Sequence, residues 1–564
     1  MKQWRLHLIL IFICFFAAII IGRLFQLQVV RYDYYDAMAK GQQNFFVNIA
    51  GNRGAIFFNG SDSPVVINKD FFLAFAVSKE IKDKKNVAKK IASLLNLDET
   101  TLFEKINKNS SYIILKKKLD ETEVAELRKM DISGVYLEKE KHRKYVKQTM
   151  ASSLLGFTSE DGIGQYGVEG YWDDTLKGKD VSIKRENGAR RYLSLLDKNG
   201  DEYGADLFLS IDYNIQYQAE KLLKEASSSL SIEGGQIIVM EPSSGRILAM
   251  ADFPNFDPNQ YEKYADKNNL KIFRNEAIQE IFEPGSIFKP LTLAVAINEN
   301  KITPETVYID KGYINIGEKT VYNYNKKSYG KKTMTEVLEK SINTGAVWAE
   351  SQIGHKVFMD YIQRFGFLEQ TGIDLQGEEF SSNKELKKGR EIGFVTASFG
   401  QGIGATPIQM VQAFSAIANN GKMVKPYVVE KIRKNGKITK VEQEISLPVI
   451  SQRTSSDLTT MLISVVDNGI GNESKIPGYY IAGKTGTAQV PWISLGKNKK
   501  GYSDKTWQSF IGYAPAFEPK FLILVKLDNP QTKTAGYSAA PIFKKLAKYI
   551  INYYQIPPDY KPIF

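Results

Sequence analysis

Hydrophobic and polar positions fall into three regimes along the chain. From Leu8 to Gly22 no position is charged and nearly all are apolar; Leu24 to Val30 extends the run with only two glutamines. Lys2 and Arg5 precede the run, and Arg23 and Arg31 interrupt and follow it. A stretch of about 20 such residues predicts a helix long enough to cross a bilayer, with Arg23 snorkelling to the interface. No small-x-small cleavage site follows, so residues 6–30 read as a retained anchor rather than a signal peptide. The flanking positive charges balance one another and give no orientation. No second run of this kind appears, which places everything after it on one side of a membrane.

Residues 31–205 are charged and irregular. Inside KKNVAKKIASLLNL, the positions Val87, Ile91, Leu94 and Leu95 form a helical apolar stripe. GVYLEKEKHRKY (134–145) predicts an exposed strand, and glycines crowd 156–170. These features describe a small mixed α+β module without concentrated chemistry, closed by the turn-rich DKNGDEYGAD at 197–206. The third regime, 206–564, opens with a capped helix in SIDYNIQYQAEKLL, followed by a hairpin: GGQIIVM, the turn EPSSG, then RILAMADF. Near its end KFLILVKL predicts a strand and PIFKKLAKYIINYY an amphipathic helix. Strands at both ends with helices between them predict an α/β domain of layered sheet and helices. The order is not a βαβ alternation, so the sheet should be largely antiparallel.

Composition narrows the class. With 43% hydrophobic, 24% charged and 12% aromatic residues, the 564-residue chain is that of a folded protein of two or three domains. A net charge of +12 suits an anionic partner. The basic residues are scattered, without zinc-ligand spacing or an RNA-binding signature. A membrane surface or a cell-wall polymer therefore fits better than nucleic acid. The one cysteine, Cys14, lies in the apolar run, leaving the rest without thiol or disulfide, as suits an exported domain. His7, His142 and His355 have no metal-ligand company, which argues against a zinc enzyme or a Ser-His-Asp hydrolase.

Chemistry concentrates in the third regime. EPGSIFKP (283–290) places Ser286 at the mouth of an apolar helix and Lys289 one turn on, where the amine shares a face with the hydroxyl. Apolar neighbours desolvate that amine and lower its pKa, and the serine amide at a helix N-terminus can stabilise an oxyanion. The pattern alone says little. Ser-x-x-Lys recurs at Ser328/Lys331, Ser381/Lys384 and Ser494/Lys497 in polar loops, and a capping serine with a snorkelling lysine would explain it too. EKSINTG puts Ser341 and Asn343 on one side of a turn or short helix, where a hydroxyl and an amide could relay a proton and hold a substrate amide. A helix cap is the plainer alternative, and Ser381/Asn383 repeats the spacing as ordinary loop chemistry. In IAGKTGTAQV, Lys484, Thr485, Gly486 and Thr487 predict an edge strand whose glycines admit a peptide and whose lysine and hydroxyls bind a carboxylate. Ser-x-x-Lys, Ser-x-Asn and Lys-Thr-Gly in that order form the set shared by penicillin-binding proteins and serine β-lactamases.

The chain resembles a class B penicillin-binding protein, a monofunctional peptidoglycan D,D-transpeptidase, over nearly its whole length. Besides the three motifs, the resemblance is carried by RNEAIQEIFEPGSIFKP, SFGQGIGATPIQM (398–410) and SFIGYAPAFEPKF (509–521). In the amino-terminal module it is carried by RGAIFFNG (53–60) and by GQYGVEGYWDDTLKG (164–178), with Gly167 and Glu169. Two positions depart from the family pattern. Phe57-Phe58-Asn59-Gly60 stands for its Asp-Arg-Asn-Gly, and Arg143-Lys144-Tyr145-Val146 for its Arg-x-Tyr-Pro.

The resemblance implies a penicillin-binding/β-lactamase-like α/β domain at 206–564 and a pedestal or dimerisation-like module at 31–205. It also implies a single-pass anchor at 6–30 after a cytoplasmic tail at 1–5, with the catalytic domain outside the cell membrane. It implies that Ser286 attacks the penultimate D-Ala carbonyl of a stem peptide and releases D-Ala, and that Lys289 takes the serine proton. Ser341 would pass a proton to the leaving amine with help from Lys484, and Asn343 would orient the substrate amide. Lys484, Thr485 and Thr487, on the strand that Gly486 opens, would bind the terminal carboxylate, and the amides of Ser286 and Thr487 would form the oxyanion hole. β-Lactams would acylate the same serine. No metal or organic cofactor is implied. A membrane glycosyltransferase of the shape, elongation, division and sporulation family is the implied partner. EPGS and SFIGYAPA lean towards a division role over an elongation role.

Rival readings remain open at this level. A serine β-lactamase would need a group to activate a deacylating water, and no Glu-x-x-Leu-Asn-like segment follows Ser341. A β-lactam sensor would carry more membrane segments, and a bifunctional enzyme a glycosyltransferase domain. A catalytically silent scaffold would need neither Lys289 nor Lys484.

Overall fold

The N-terminal apolar run forms helix α1, Gln3–Phe25, continued by a π-helical turn at Gln26–Val30. The structure, a computed structural model, describes residues 3–32, 35, 48–108, 110, 112–182, 203–265, 270–442 and 444–561. Lys2 and most of the turn-rich 197–206 segment lie outside the described residues. Phe12–Val30 has a mean hydropathy of 2.0, and none of it is buried in protein. By length and composition it can cross a bilayer.

By packing, the chain forms two compact units. One comprises Met1–Arg53, Ile67–Lys144 and Lys177–Gly204; the other comprises Gly54–Val66, Tyr145–Leu176 and Ala205–Phe564. The units interleave in sequence because short stretches ahead of 206 bury their apolar side chains in the larger core. Val168 and Leu176 are fully buried there.

Most of strand β1, Pro64–Ala76, lies in the smaller unit. The stripe read in the sequence becomes α2, Lys84–Leu95, capped by Asp83 and ended by Asn96 in the left-handed region; Ile91 and Leu95 are buried. Helix α3, Glu99–Asn107, follows; strand β2, Ile113–Leu119, pairs antiparallel with β1. Helix α4, Glu121–Met130, starts with a capping box between Asp120 and Glu123. The strand expected at 134–145 is β3, Val135–Tyr145, but it is mostly half-buried rather than exposed, because it pairs with β1.

The larger unit is built on a five-stranded sheet. Helix α5, Tyr213–Ser229, is capped by the Asp212 carboxylate. The predicted hairpin follows as β4, Gly234–Met240, and β5, Ile247–Phe253. Helix α6, Lys289–Asn298, leads to two small ribbons: β6, Val307–Asp310; β7, Tyr313–Ile316; β8, Lys319–Tyr322; and β9, Gly330–Thr333. Helices α7, Met334–Glu339, and α8, Asn343–Ile353, come next, then α9, Pro407–Ala418, and α10, Gln452–Asn468. The chain closes with β10, Ala482–Pro491; β11, Tyr502–Ala514; β12, Phe521–Asp528; and helix α11, Ala539–Tyr553.

The sheet order is β5-β4-β12-β11-β10, antiparallel throughout, with β10 at its edge. Alternation sorts its side chains. Ile237, Val239, Ile523, Val525 and Leu527 face one core with α5 and α11, while Ile238, Met240, Leu522 and Leu524 face another with α6 and α9. A sheet covered on both faces explains why β4 is buried at every position. The phenylalanines that replace the family's polar pair are also accounted for. Phe58 is buried, and Phe57 stacks on Phe208 at 4.7 Å, with the Arg433 guanidinium 5.0 Å from the Phe208 ring.

Candidate active site

Residues 283–290 do not form a serine-capped helix. Gly285–Phe288 is a 3₁₀ turn that runs into α6, no side chain caps it, and Ser286 is left half-buried at the surface. Glycines let two backbone segments close on this turn. Gly285 has φ +57° and donates its N–H to Gly400 O at 2.9 Å. A Cβ on Gly400 would stand 2.1 Å from Gly285 O. A Cβ on Gly486 would stand 2.7 Å from Ser509 Oγ and 3.0 Å from both Pro284 O and Ile287 Cγ2. The close approach foreseen at the Lys-Thr-Gly strand is thus made first by the protein's own serine turn.

Lys289 lies at the first position of a helix buried on all sides, and its ammonium is fully buried. Its hydrogen bonds go to Ser341 O at 2.6 Å and Ser341 Oγ at 3.0 Å, not to Ser286. Lys484, also fully buried, reaches the same Ser341 Oγ at 3.1 Å and Thr485 O at 3.0 Å. Burial drives the Lys289 pKa well below its usual value, and the neighbouring Lys484 charge adds to this. Burial brings Lys484 down to about 7. The carbonyl that meets Lys289 is presented by a Ser341 in the left-handed region, φ +54°, a conformation costing roughly 1–2 kcal/mol for a residue with a side chain. One serine oxygen therefore joins two amines whose charged forms burial disfavours.

Ser341 sits between α7 and α8, and Asn343 opens α8 without acting as a side-chain cap. The Asn343 amide donates to Tyr322 O at 3.0 Å. Behind it, buried Asp310 accepts from Thr344 Oγ1 at 2.7 Å, Asn323 Nδ2 at 2.9 Å and Tyr329 N at 2.7 Å. On the edge strand, the Lys484, Gly486 and Thr487 positions pair with Ile511, Ser509 and Gln508. Thr485 is buried, and half-buried Thr487 accepts from Ala535 N at 3.1 Å, which leaves its hydroxyl proton free to donate. Ser286, Lys289, Ser341, Asn343 and Lys484–Thr487 all belong to the larger unit.

In the three other Ser-x-x-Lys matches the serine stays in a loop or short turn, and Lys331 lies in β9. Ser381/Asn383 does more than the spacing implied. Buried Asn383 accepts from Gly404 N at 2.8 Å and donates to Gly404 O at 3.1 Å, fixing the glycine loop that receives Gly285. Sequence reasoning also missed Asp310 and the pair Glu283–Tyr502, whose hydroxyl donates to the carboxylate at 3.0 Å. Their partners lie from 13 to 219 residues away, so no local pattern marks them; SFGQGIG, with its glycines, was the nearest available signal. As for metals, carboxylate oxygens of Glu276, Glu280 and Asp528 lie within 4.8 Å of one another. The buried Lys526 ammonium already bridges Glu280 and Asp528 at 2.6 and 2.5 Å, and Lys271 reaches Glu276 at 2.9 Å. Two of the protein's own lysines already partner those three carboxylates.

Known proteins share these domains. Residues 235–548 match the penicillin binding protein transpeptidase domain, and residues 48–209 the penicillin-binding protein dimerisation domain. The chain is 31% identical to stage V sporulation protein D of Bacillus subtilis over 95% of its own length and 84% of that protein. It is 27% identical to the peptidoglycan D,D-transpeptidase FtsI of Escherichia coli over 99% and 93%. Its fold matches penicillin binding protein 3 of Mycobacterium tuberculosis in complex with aztreonam. The TM-score is 0.70 at 23% identity, over 91% of this chain and 99% of that one. With both domain families matched in order along the chain, and the ordered serine, lysine and Lys-Thr-Gly motifs meeting at one sheet edge, the chain belongs to the class B penicillin-binding proteins, serine-type peptidoglycan D,D-transpeptidases that bind β-lactams.

Proposed function

We propose that Ser286 is the acylated nucleophile and that the two buried lysines run its proton traffic through Ser341. The observation that carries the reading is the convergence of Lys289 and Lys484 on Ser341 Oγ at 3.0 and 3.1 Å beside the Ser286 turn. Neutral Lys289 takes the Ser286 proton as Oγ bonds to the penultimate carbonyl carbon. Its amine meets that hydroxyl only with substrate in place, since catalytic hydrogen bonds commonly tighten in the complex. The amides of Ser286 and Thr487 hold the oxyanion. The C–N bond to D-Ala then breaks, and the leaving amine takes its proton from Ser341, which is resupplied from Lys289 and Lys484. Asn343 orients the substrate amide; Lys484, Thr485 and Thr487 hold the terminal carboxylate along β10. The amine of a second stem peptide attacks the acyl-enzyme and completes the cross-link.

Fluorescent penicillin tests the assignment. The full chain should label and release the label slowly, and Ser286→Ala should not label. Equal labelling of the variant refutes the nucleophile, and fast turnover would make the protein a β-lactamase.

The helix Phe12–Val30 acts as a single-pass anchor with the catalytic unit outside the cell, and a membrane glycosyltransferase supplies the glycan strand. A septal role is the first reading of when it acts. The match to a sporulation protein supports a second, spore-wall synthesis. Placement of a fluorescent fusion at the division site in growing cells, or only at forming spores, separates the two.

A further inference from the structure

Between the Ser286 helix and Ser341 the chain inserts two ribbons, β6 paired with β9 and β7 paired with β8. Their outer surface is unusual in two ways. It exposes large apolar side chains together: Ile309 is 66% and Tyr324 63% exposed, and Tyr313 and Tyr322 face each other across the strands with rings 6.4 Å apart. It is also strongly cationic. Residues 307–333 carry Lys311, Lys319, Lys326, Lys327, Lys331 and Lys332 against Asp310 and Glu318. Asp310 is buried in its own hydrogen bonds, and Lys332 pairs with Glu336 at 2.6 Å. Among the described residues, none of the other five lysines has a carboxylate partner. Instead Lys326 lies 5.1 Å from the Tyr322 ring centroid, and Lys327 lies 5.0 Å from that of Tyr329.

The ribbons are rooted in the active site. Tyr322 O accepts the Asn343 amide at 3.0 Å, and the Asp310–Asn323–Thr344 hydrogen bonds tie both ribbons to the turn carrying Ser341. Whatever binds them is held beside the reacting groups. A single stem-peptide terminus supplies one carboxylate, which β10 takes; five unpaired ammonium groups call for a polymer with many. We propose that the ribbons dock the polyanionic glycopeptide strand that bears the stem peptides, pairing its carboxylates with Lys319, Lys326 and Lys327 and its apolar faces with the exposed tyrosines. This rests on the reading of Ser286 as the transpeptidase nucleophile.

The test uses the full chain in neutral detergent and purified insoluble peptidoglycan. Lys319→Glu, Lys326→Glu and Lys327→Glu together should weaken co-sedimentation about tenfold and reduce its salt dependence. Uptake of fluorescent penicillin should stay unchanged, which also shows that the variant is folded. On the wild type, peptidoglycan should protect these lysines from acetylation. Unchanged co-sedimentation of a variant that still takes up penicillin overturns the docking role, as does protection by anionic lipid in the micelles but not by peptidoglycan. Loss of penicillin uptake by the wild type would instead refute the nucleophile reading, so the two failures are distinguishable.

Discussion

Lys289 and Lys484 reach one serine oxygen from a helix and from an edge strand, and among the described residues neither has a carboxylate to keep it charged. At the residue scale this makes the site pH-sensitive in a definite direction. Lys484 titrates near 7 in the folded protein against about 10.5 when unfolded. Between those values the unfolded chain binds one more proton, so this group's contribution to stability rises with pH through that window and is lost as pH falls through 7. Lys484→Met should therefore be more stable than the parent at pH 6, read as a higher Tm, while losing acylation. Lys289→Arg should fold and fail to acylate, by a factor on the order of 10³, because a guanidinium cannot serve as a base. Retained labelling would argue against proton transfer to Lys289.

At the scale of elements, the serine turn is clamped by β10 on one side and by the 398–404 loop on another. Gly486→Ala puts a methyl 2.7 Å from Ser509 Oγ and 3.0 Å from Pro284 O. Overpacking of that kind costs about 1–3 kcal/mol, and here it pushes on the backbone that carries Ser286. Acylation should drop more than thermal stability does; a loss confined to Tm would mean the turn yields without misplacing the hydroxyl. Behind Asn343, Asp310→Ala strands several buried donors at roughly 1–3 kcal/mol each. It should lower the denaturation midpoint in urea and slow acylation together.

On the scale of the whole molecule, a polar row crosses the five-stranded sheet inside an apolar core: Gly486, Ser509, Lys526, Gln236 and Asp252 are successive register partners. Lys526 answers Glu280 and Asp528. Asp252 is less well served: Ser153 donates to one oxygen at 2.6 Å, and the other has no partner among the described residues. Burial, with Glu276 and Glu280 nearby, pushes its pKa up to about 8 from 3.8. The folded state thus keeps a proton that the unfolded chain releases above about pH 4. Its contribution to stability is full below that pH and is lost as pH rises towards 8. Asp252→Asn should flatten this decline, which Tm measured from pH 5 to 9 will reveal; an unchanged slope would mean Asp252 is ionised throughout.

Much of this was legible in the chain alone, for reasons that are local. An apolar run of membrane length, period-two strands such as KFLILVKL, and the stripe through Ile91 and Leu95 each encode their own element. The ordered motifs named the chemistry because Ser286 and Lys289 are bound to neighbour one another on one turn. Long-range geometry was not legible. Spacing within EPGSIFKP suggested that Lys289 faces Ser286, yet its amine sits on Ser341, 52 residues on. Asn383 passed for loop chemistry because its partner, Gly404, is 21 residues away. Hydrogen bonds between distant residues depend on how helices and strands pack, and a buried lysine turns towards whichever oxygen that packing leaves unpaired.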